Sequence, residues 1–143
     1  MTPMRPAALS AVLTALLIVV GGCDAGSKQP DFPELHPVKG VVKLGGKPVK
    51  GGVVLFSPEP ERPEFLVNSE VGDDGSFSLS TVRTTDKKGE RKPGAPAGKY
   101  RVSYSPPLGD QTAGPVGEPV PAQQPVTIAS GDNDLTIELQ KRN

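Results

Sequence analysis

Residues 38–58 read VKGVVKLGGKPVKGGVVLFSP. In Val38–Leu44, Val38, Gly40, Val42 and Leu44 fall on one side, and Lys39, Val41 and Lys43 on the other. A period of two sends alternate side chains to opposite faces of a pleated strand, so this stretch is expected to be a half-buried strand. Gly45-Gly46 turns the chain, and Lys47-Pro48-Val49 leads to Gly51-Gly52. Gly52–Ser57 (GVVLFS) is a nearly continuous apolar run closed by Pro58. Such a run is expected of a strand buried on both faces.

Downstream the pattern continues in short pieces. Phe65–Val71 is a third strand, and Asp73-Asp74-Gly75 is a hairpin signal because Asp-Gly tolerates the positive φ of a tight turn. Ser76–Thr81 (SFSLST) alternates, with Phe77 and Leu79 inward. Lys99–Ser105 (KYRVSYS) places Tyr100, Val102 and Tyr104 opposite Lys99, Arg101 and Ser103. Val126–Ile128 is short, and Gly131-Asp132-Asn133 turns the chain into Asp134–Gln140, with Leu135, Ile137 and Leu139 inward. Seven short strands with Gly and Pro punctuation predict an all-β domain, a small antiparallel sandwich. Two connections are long, 82–97 and 106–124; the second holds five prolines and no convincing strand.

Upstream lies a different kind of sequence. Met1–Pro6 carries one Arg, Ala7–Val20 is 14 residues without a charge, and Val20-Gly21-Gly22-Cys23 follows. The apolar run fits a signal-peptide core and falls short of the roughly 20 residues that span a bilayer. An aliphatic residue, two small residues and a cysteine match the lipobox of bacterial lipoprotein precursors. The expectation is cleavage between Gly22 and Cys23 and acylation of Cys23, which two chains make a stable anchor. Asp24 resembles a weak inner-membrane retention signal. Residues 24–37 (DAGSKQPDFPELHP) read as a tether, kept extended by Pro30, Pro33 and Pro37 and reaching about 40 Å at most. Three segments result: signal peptide 1–22, lipidated Cys and tether 23–37, and the β domain 38–143.

The chain has 143 residues, enough for one domain. Removing 1–22 takes one base, Arg5, from 16 Lys/Arg and leaves 15 against 16 Asp/Glu. That balance gives no support to nucleic-acid binding, which needs a basic stripe. A single cysteine rules out a disulfide framework.

The runs VKGVVKLGGKPVKGGVVLFSP, VGDDGSFSLST, GAPAGKYRVSY and VTIASGDNDLTIEL together resemble the transthyretin-like or carboxypeptidase-regulatory-like domains. The likeness is nearest to short lipoproteins of that type found in planctomycetes, and it covers Val38 to Leu139. It implies a transthyretin-like Greek-key sandwich serving as a binding or structural appendage. The transthyretin-like hydrolases of purine breakdown need several histidines and a C-terminal Tyr-Arg-Gly-Ser motif. This chain has one histidine, His36, and ends Gln140-Lys141-Arg142-Asn143.

No Cys/His cluster has zinc spacing, no phosphate-binding loop is present, and a Ser/His/Asp arrangement would have to recruit His36 from the tether. No catalytic residue and no cofactor are expected. Asp73, Asp74, Asp132 and Asp134, with Asn133, offer oxygen ligands for a weak calcium site, although turn chemistry explains the same residues. Glu59–Asp74 holds six acids against Arg62, whereas Arg83–Lys92 holds five bases (Arg83, Lys87, Lys88, Arg91, Lys92) against Asp86 and Glu90. Those five are the candidate partner-binding residues, facing anionic lipid or an acidic partner. With no Trp and both Tyr inward, Phe32, Phe56 and Phe65 are poor platforms for sugar. The expected function is a non-enzymatic, lipid-anchored, monomeric module of the cell envelope, meeting an envelope protein or polymer. The alternatives are an accessory subunit of an envelope enzyme, or a weak calcium- or carbohydrate-binding module.

Overall fold

The computed structural model describes residues 28–107 and 118–142. The expected signal peptide, Gly22 and Cys23 lie outside the described residues. The strands are β1 (Val38–Leu44), β2 (Lys47–Pro48), β3 (Val53–Glu59), β4 (Phe65–Glu70), β5 (Ser76–Ser78), β6 (Ser80–Arg83), β7 (Arg91–Pro93), β8 (Gly98–Ser105), β9 (Val120–Pro121), β10 (Val126–Ile128) and β11 (Asn133–Leu139). They form two sheets. The smaller runs β11-β1-β2, with β5 also on β1; the larger runs β10-β8-β3-β4-β6-β7, with β9 beside β8.

The fold is all-β and sandwich-like, because alternate residues of both sheets meet in one apolar layer. Val42, Phe77, Ile137 and Leu139 come from the smaller sheet, and Val54, Phe56, Val67, Tyr100 and Val102 from the larger. The Phe56 ring bridges them, 5.8 Å from Phe77 and 6.0 Å from Tyr100. Each such side chain contributes roughly 1.5–3 kcal/mol on leaving water. Both tyrosines keep a polar tip satisfied: Tyr100 donates to the Pro96 carbonyl and Tyr104 to that of Gly51, each at 2.7 Å.

Several expectations need correction. The ladder is not wholly antiparallel: β1 and β11 pair in parallel, from Val38 with Asn133 to Leu44 with Leu139. The other sheet lies between them in sequence and returns the chain in its starting direction. The Asp73-Asp74-Gly75 turn closes no hairpin: it carries the chain from β4 in the larger sheet to β5 in the smaller, and the stretch 76–81 is not one strand. Leu79 donates its N–H to the Val38 carbonyl in the smaller sheet and accepts the Gly94 N–H at 2.8 Å beside the larger. Phe77, Leu79 and Thr81 all stay inward, so alternation is blind to the change of partner. β3 is buried on one face only, since Val53 is 40% exposed while Val54 and Phe56 are buried. Each long connection carries a short strand: β7 pairs with β6, and β9 with β8.

The largest correction concerns 28–37, expected to stand free as a tether. The Gln29 side-chain amide donates to the Thr85 backbone carbonyl at 3.1 Å and accepts the Thr85 hydroxyl at 2.8 Å. Phe32 lies 6.0 Å from the ring of Phe65. His36 is buried; its backbone exchanges hydrogen bonds of 2.9 and 3.0 Å with Ala95, and its Nδ1 accepts the Gly131 N–H at 3.3 Å. Prolines remove donors from this segment, yet the residues between them supply an aromatic ring and an edge pairing that hold it down.

Candidate functional site

The five basic residues of 83–92 lie on the β6–β7 hairpin, whose loop is built around one carboxylate. Asp86 accepts the backbone N–H of Lys88 at 2.9 Å and of Glu90 at 3.2 Å. Asp in this position mimics a backbone turn. The bond from Lys88, reinforced by that from Glu90 and by the positive charge of Arg83, holds the Asp86 carboxyl below the usual carboxylate range. Thr84 fastens the loop to the neighbouring β3–β4 connection, donating its N–H to Glu64 at 3.0 Å and its hydroxyl to Pro63 at 2.7 Å.

The bases divide into two groups. Arg83 and Lys92 turn toward the N-terminal segment and hold Phe32 from one side. The Arg83 guanidinium carbon stands 4.1 Å from the ring centroid and the Lys92 Nζ 4.6 Å, both within cation–π range. Arg83 also bridges Glu90 at 3.1 Å, and Lys92 reaches the same carboxylate at 3.9 Å. The Arg83 Nε–H is buried without an acceptor among the described residues. Arg91 donates to Asn68 at 2.7 Å across the open face of the larger sheet. Lys87 and Lys88 form the second group: exposed at the loop tip, with no ion pair to an acid among the described residues. The two acids of the loop are engaged mainly with its own backbone, Arg83 and Lys92; Asp86 also feels the charge of Lys88, but five bases outnumber two acids and the loop keeps a net positive charge.

The candidate calcium ligands do not converge. Asp74 lies past the Val41–Ser76 pair and Asp132 before the Val38–Asn133 pair, at opposite ends of β1 and roughly 15 Å apart along the sheet. Asp74 serves its own turn, accepting the Ser76 hydroxyl at 2.6 Å and its N–H at 3.1 Å. The hydroxyl bond leads in lowering its pKa. Asn133 is buried, its amide bonded to the carbonyls of Ala129 and Gly131, both at 2.9 Å. Among the described residues no group of three His, Cys, Asp or Glu side chains could hold a metal ion. Phe56 and Phe65 are buried, which removes them as exposed platforms. Nothing in the sequence marks Gln29 or Thr85 as functional, and it offers Phe32 only as a poor sugar platform. A phenylalanine amid the polar residues and prolines of 28–37 was the signal that this segment has something to pack against.

In comparisons with known proteins, the chain matches no family model, no curated protein and no solved structure.

Proposed function

We propose that this chain is a lipoprotein of the cell envelope, acylated on Cys23, whose β domain is a non-catalytic binding or structural module. The observation that carries the reading is the order of residues 1–23: a short basic start, the uncharged run Ala7–Val20, then Gly21-Gly22-Cys23. The length of that run suits a cleaved signal better than a permanent span. The two-sheet architecture and the double-glycine turns support the finer reading of a transthyretin-like Greek key. The partner is an envelope protein or polymer, met by the loops of the domain.

The test is expression in a bacterial host, detergent phase partition and mass spectrometry of the N-terminal peptide, with Cys23→Ala alongside. The expected result is a detergent-phase protein beginning at an acylated Cys23, and a variant that stays aqueous or unprocessed. A wild-type chain cleaved elsewhere, or one carrying a free thiol, overturns the reading. Cross-linking on intact cells then identifies the partner by comparing the two forms.

A further inference from the structure

The clamp between Gln29 and Thr85 joins two features that are remote in sequence, the proposed anchor and the basic loop. Cys23 precedes Gln29 by six residues, so an extended chain between them spans about 20 Å at most. Gln29 is bonded to Thr85, and Lys87 and Lys88 follow Thr85 by two and three residues. Lys28, also exposed, adds a third ammonium beside the clamp, against Asp31 as the nearest exposed acid on the segment. Phe32 beneath Arg83 and Lys92, and the pairing of His36 with Ala95, keep the segment from peeling away. An anchor leaving at Lys28 therefore leaves beside the loop tip, and not at the far end of the sandwich where Lys47 and Lys50 lie.

We infer that the tip of the β6–β7 loop, through Lys87 and Lys88 with Lys28, is a docking surface for the phosphate headgroups of anionic phospholipids in the membrane that holds the anchor. The inference rests on the acylation of Cys23 proposed above. Three observations favour lipid over an acidic protein: the short span to the anchor, the absence of ion-paired acids at Lys87 and Lys88 among the described residues, and the compact ammonium chemistry of lysine, which suits mobile headgroups without requiring a fixed fork geometry. Attraction of this kind acts within about 8 Å at physiological salt, so it requires the tip to lie at the surface, where each lysine favours the docked orientation about fivefold. Acyl chains hold the protein and the lysines orient it.

The test uses the full-length lipidated protein in vesicles of zwitterionic lipid, with and without anionic phosphatidylglycerol. Surface lysines are labelled with a water-soluble acylating reagent and read by mass spectrometry. Lys87 and Lys88 should label about fivefold less than Lys47 and Lys50 in anionic vesicles, and the difference should vanish in neutral vesicles and at about 0.5 M salt. Equal labelling of both pairs in anionic vesicles overturns the inference. Protection that appears on native membranes but not on pure lipid overturns it too, in favour of an acidic protein. The same digest reports the Cys23 peptide: an unmodified thiol identifies failure of the anchoring premise, while an acylated Cys23 with unprotected lysines identifies failure of the docking surface alone.

Discussion

The ring of Phe77 occupies the space that a side chain at Gly40 would need. A Cβ there would stand 2.9 Å from the Phe77 Cζ and closer still to the Leu135 carbonyl oxygen of β11. Glycine at this position lets β1 run between β5 and β11 with an aromatic ring laid across it. Gly40→Ala should cost at least 1–3 kcal/mol by overpacking, measured by urea unfolding. Because the nearer obstacle is backbone, shrinking the ring in a Gly40→Ala/Phe77→Leu double variant should not restore stability. Recovery would show that the ring alone sets the constraint.

The hydroxyl of Tyr100 is buried, and burial pushes its pKa up to about 12, with the positive charge of Arg62 opposing. The folded value exceeds the unfolded one of about 10, so the associated stability is intact below pH 10 and is lost as pH rises toward 12. Tyr100→Phe should cost about 1–2 kcal/mol, by leaving the Pro96 carbonyl without its donor. The variant should also flatten the decline in melting temperature between pH 10 and 12, as calorimetry across that range would show.

Asp86→Ala removes both carboxylate bonds that shape the β6–β7 loop. The expected outcome is local: faster amide exchange at Lys88 and Glu90 and earlier protease cleavage within 84–90, with little change in global melting temperature. The Asp86 pKa is depressed in the folded chain, so its contribution is present above the ordinary carboxylate value. It is lost as pH falls through the lowered one. Exchange at the two amides in the wild-type chain, corrected for the intrinsic effect of pH, should rise over that acid range.

His36→Ala should loosen the N-terminal segment by deleting the acceptor for the Gly131 N–H and the imidazole packed beside it. Limited proteolysis followed by intact mass should show cleavage within 28–37 that the wild-type chain resists. Phe32→Ala should act on the same segment through a different contact. If either variant leaves the cleavage pattern unchanged, that contact does not hold the segment.

Alternation over Ser76–Thr81 and Lys99–Ser105 identifies the inward residues, since burial is a property of each strand's own period; over Val38–Leu44 it fails at Leu44, which is 36% exposed at the strand end. Sheet membership was harder to read. Leu79 sits in an unbroken alternating stretch while its N–H and C=O serve different sheets, and nothing in side-chain chemistry marks that exchange. The parallel pairing of β1 with β11 likewise depends on the path between them. At the candidate site, the five bases were visible as a charge run, but their division was not. Whether a lysine grips Phe32 or stands in water depends on where residues 28–32 lie, and prolines there argued for a free chain.

The pairing of β1 with β11 also has a kinetic consequence. The edge of Val38–Leu44 that is covered by Asn133–Leu139 belongs to the first strand among the described residues, and its cover is the last of them. Contacts so distant along the chain form slowly and only once both partners are present. For a polypeptide threaded through a translocation pore with its N-terminus leading, the smaller sheet cannot close until the final strand has been delivered. If the chain is exported as proposed above, this strand order would leave it loose during transit and close the sheet only on arrival.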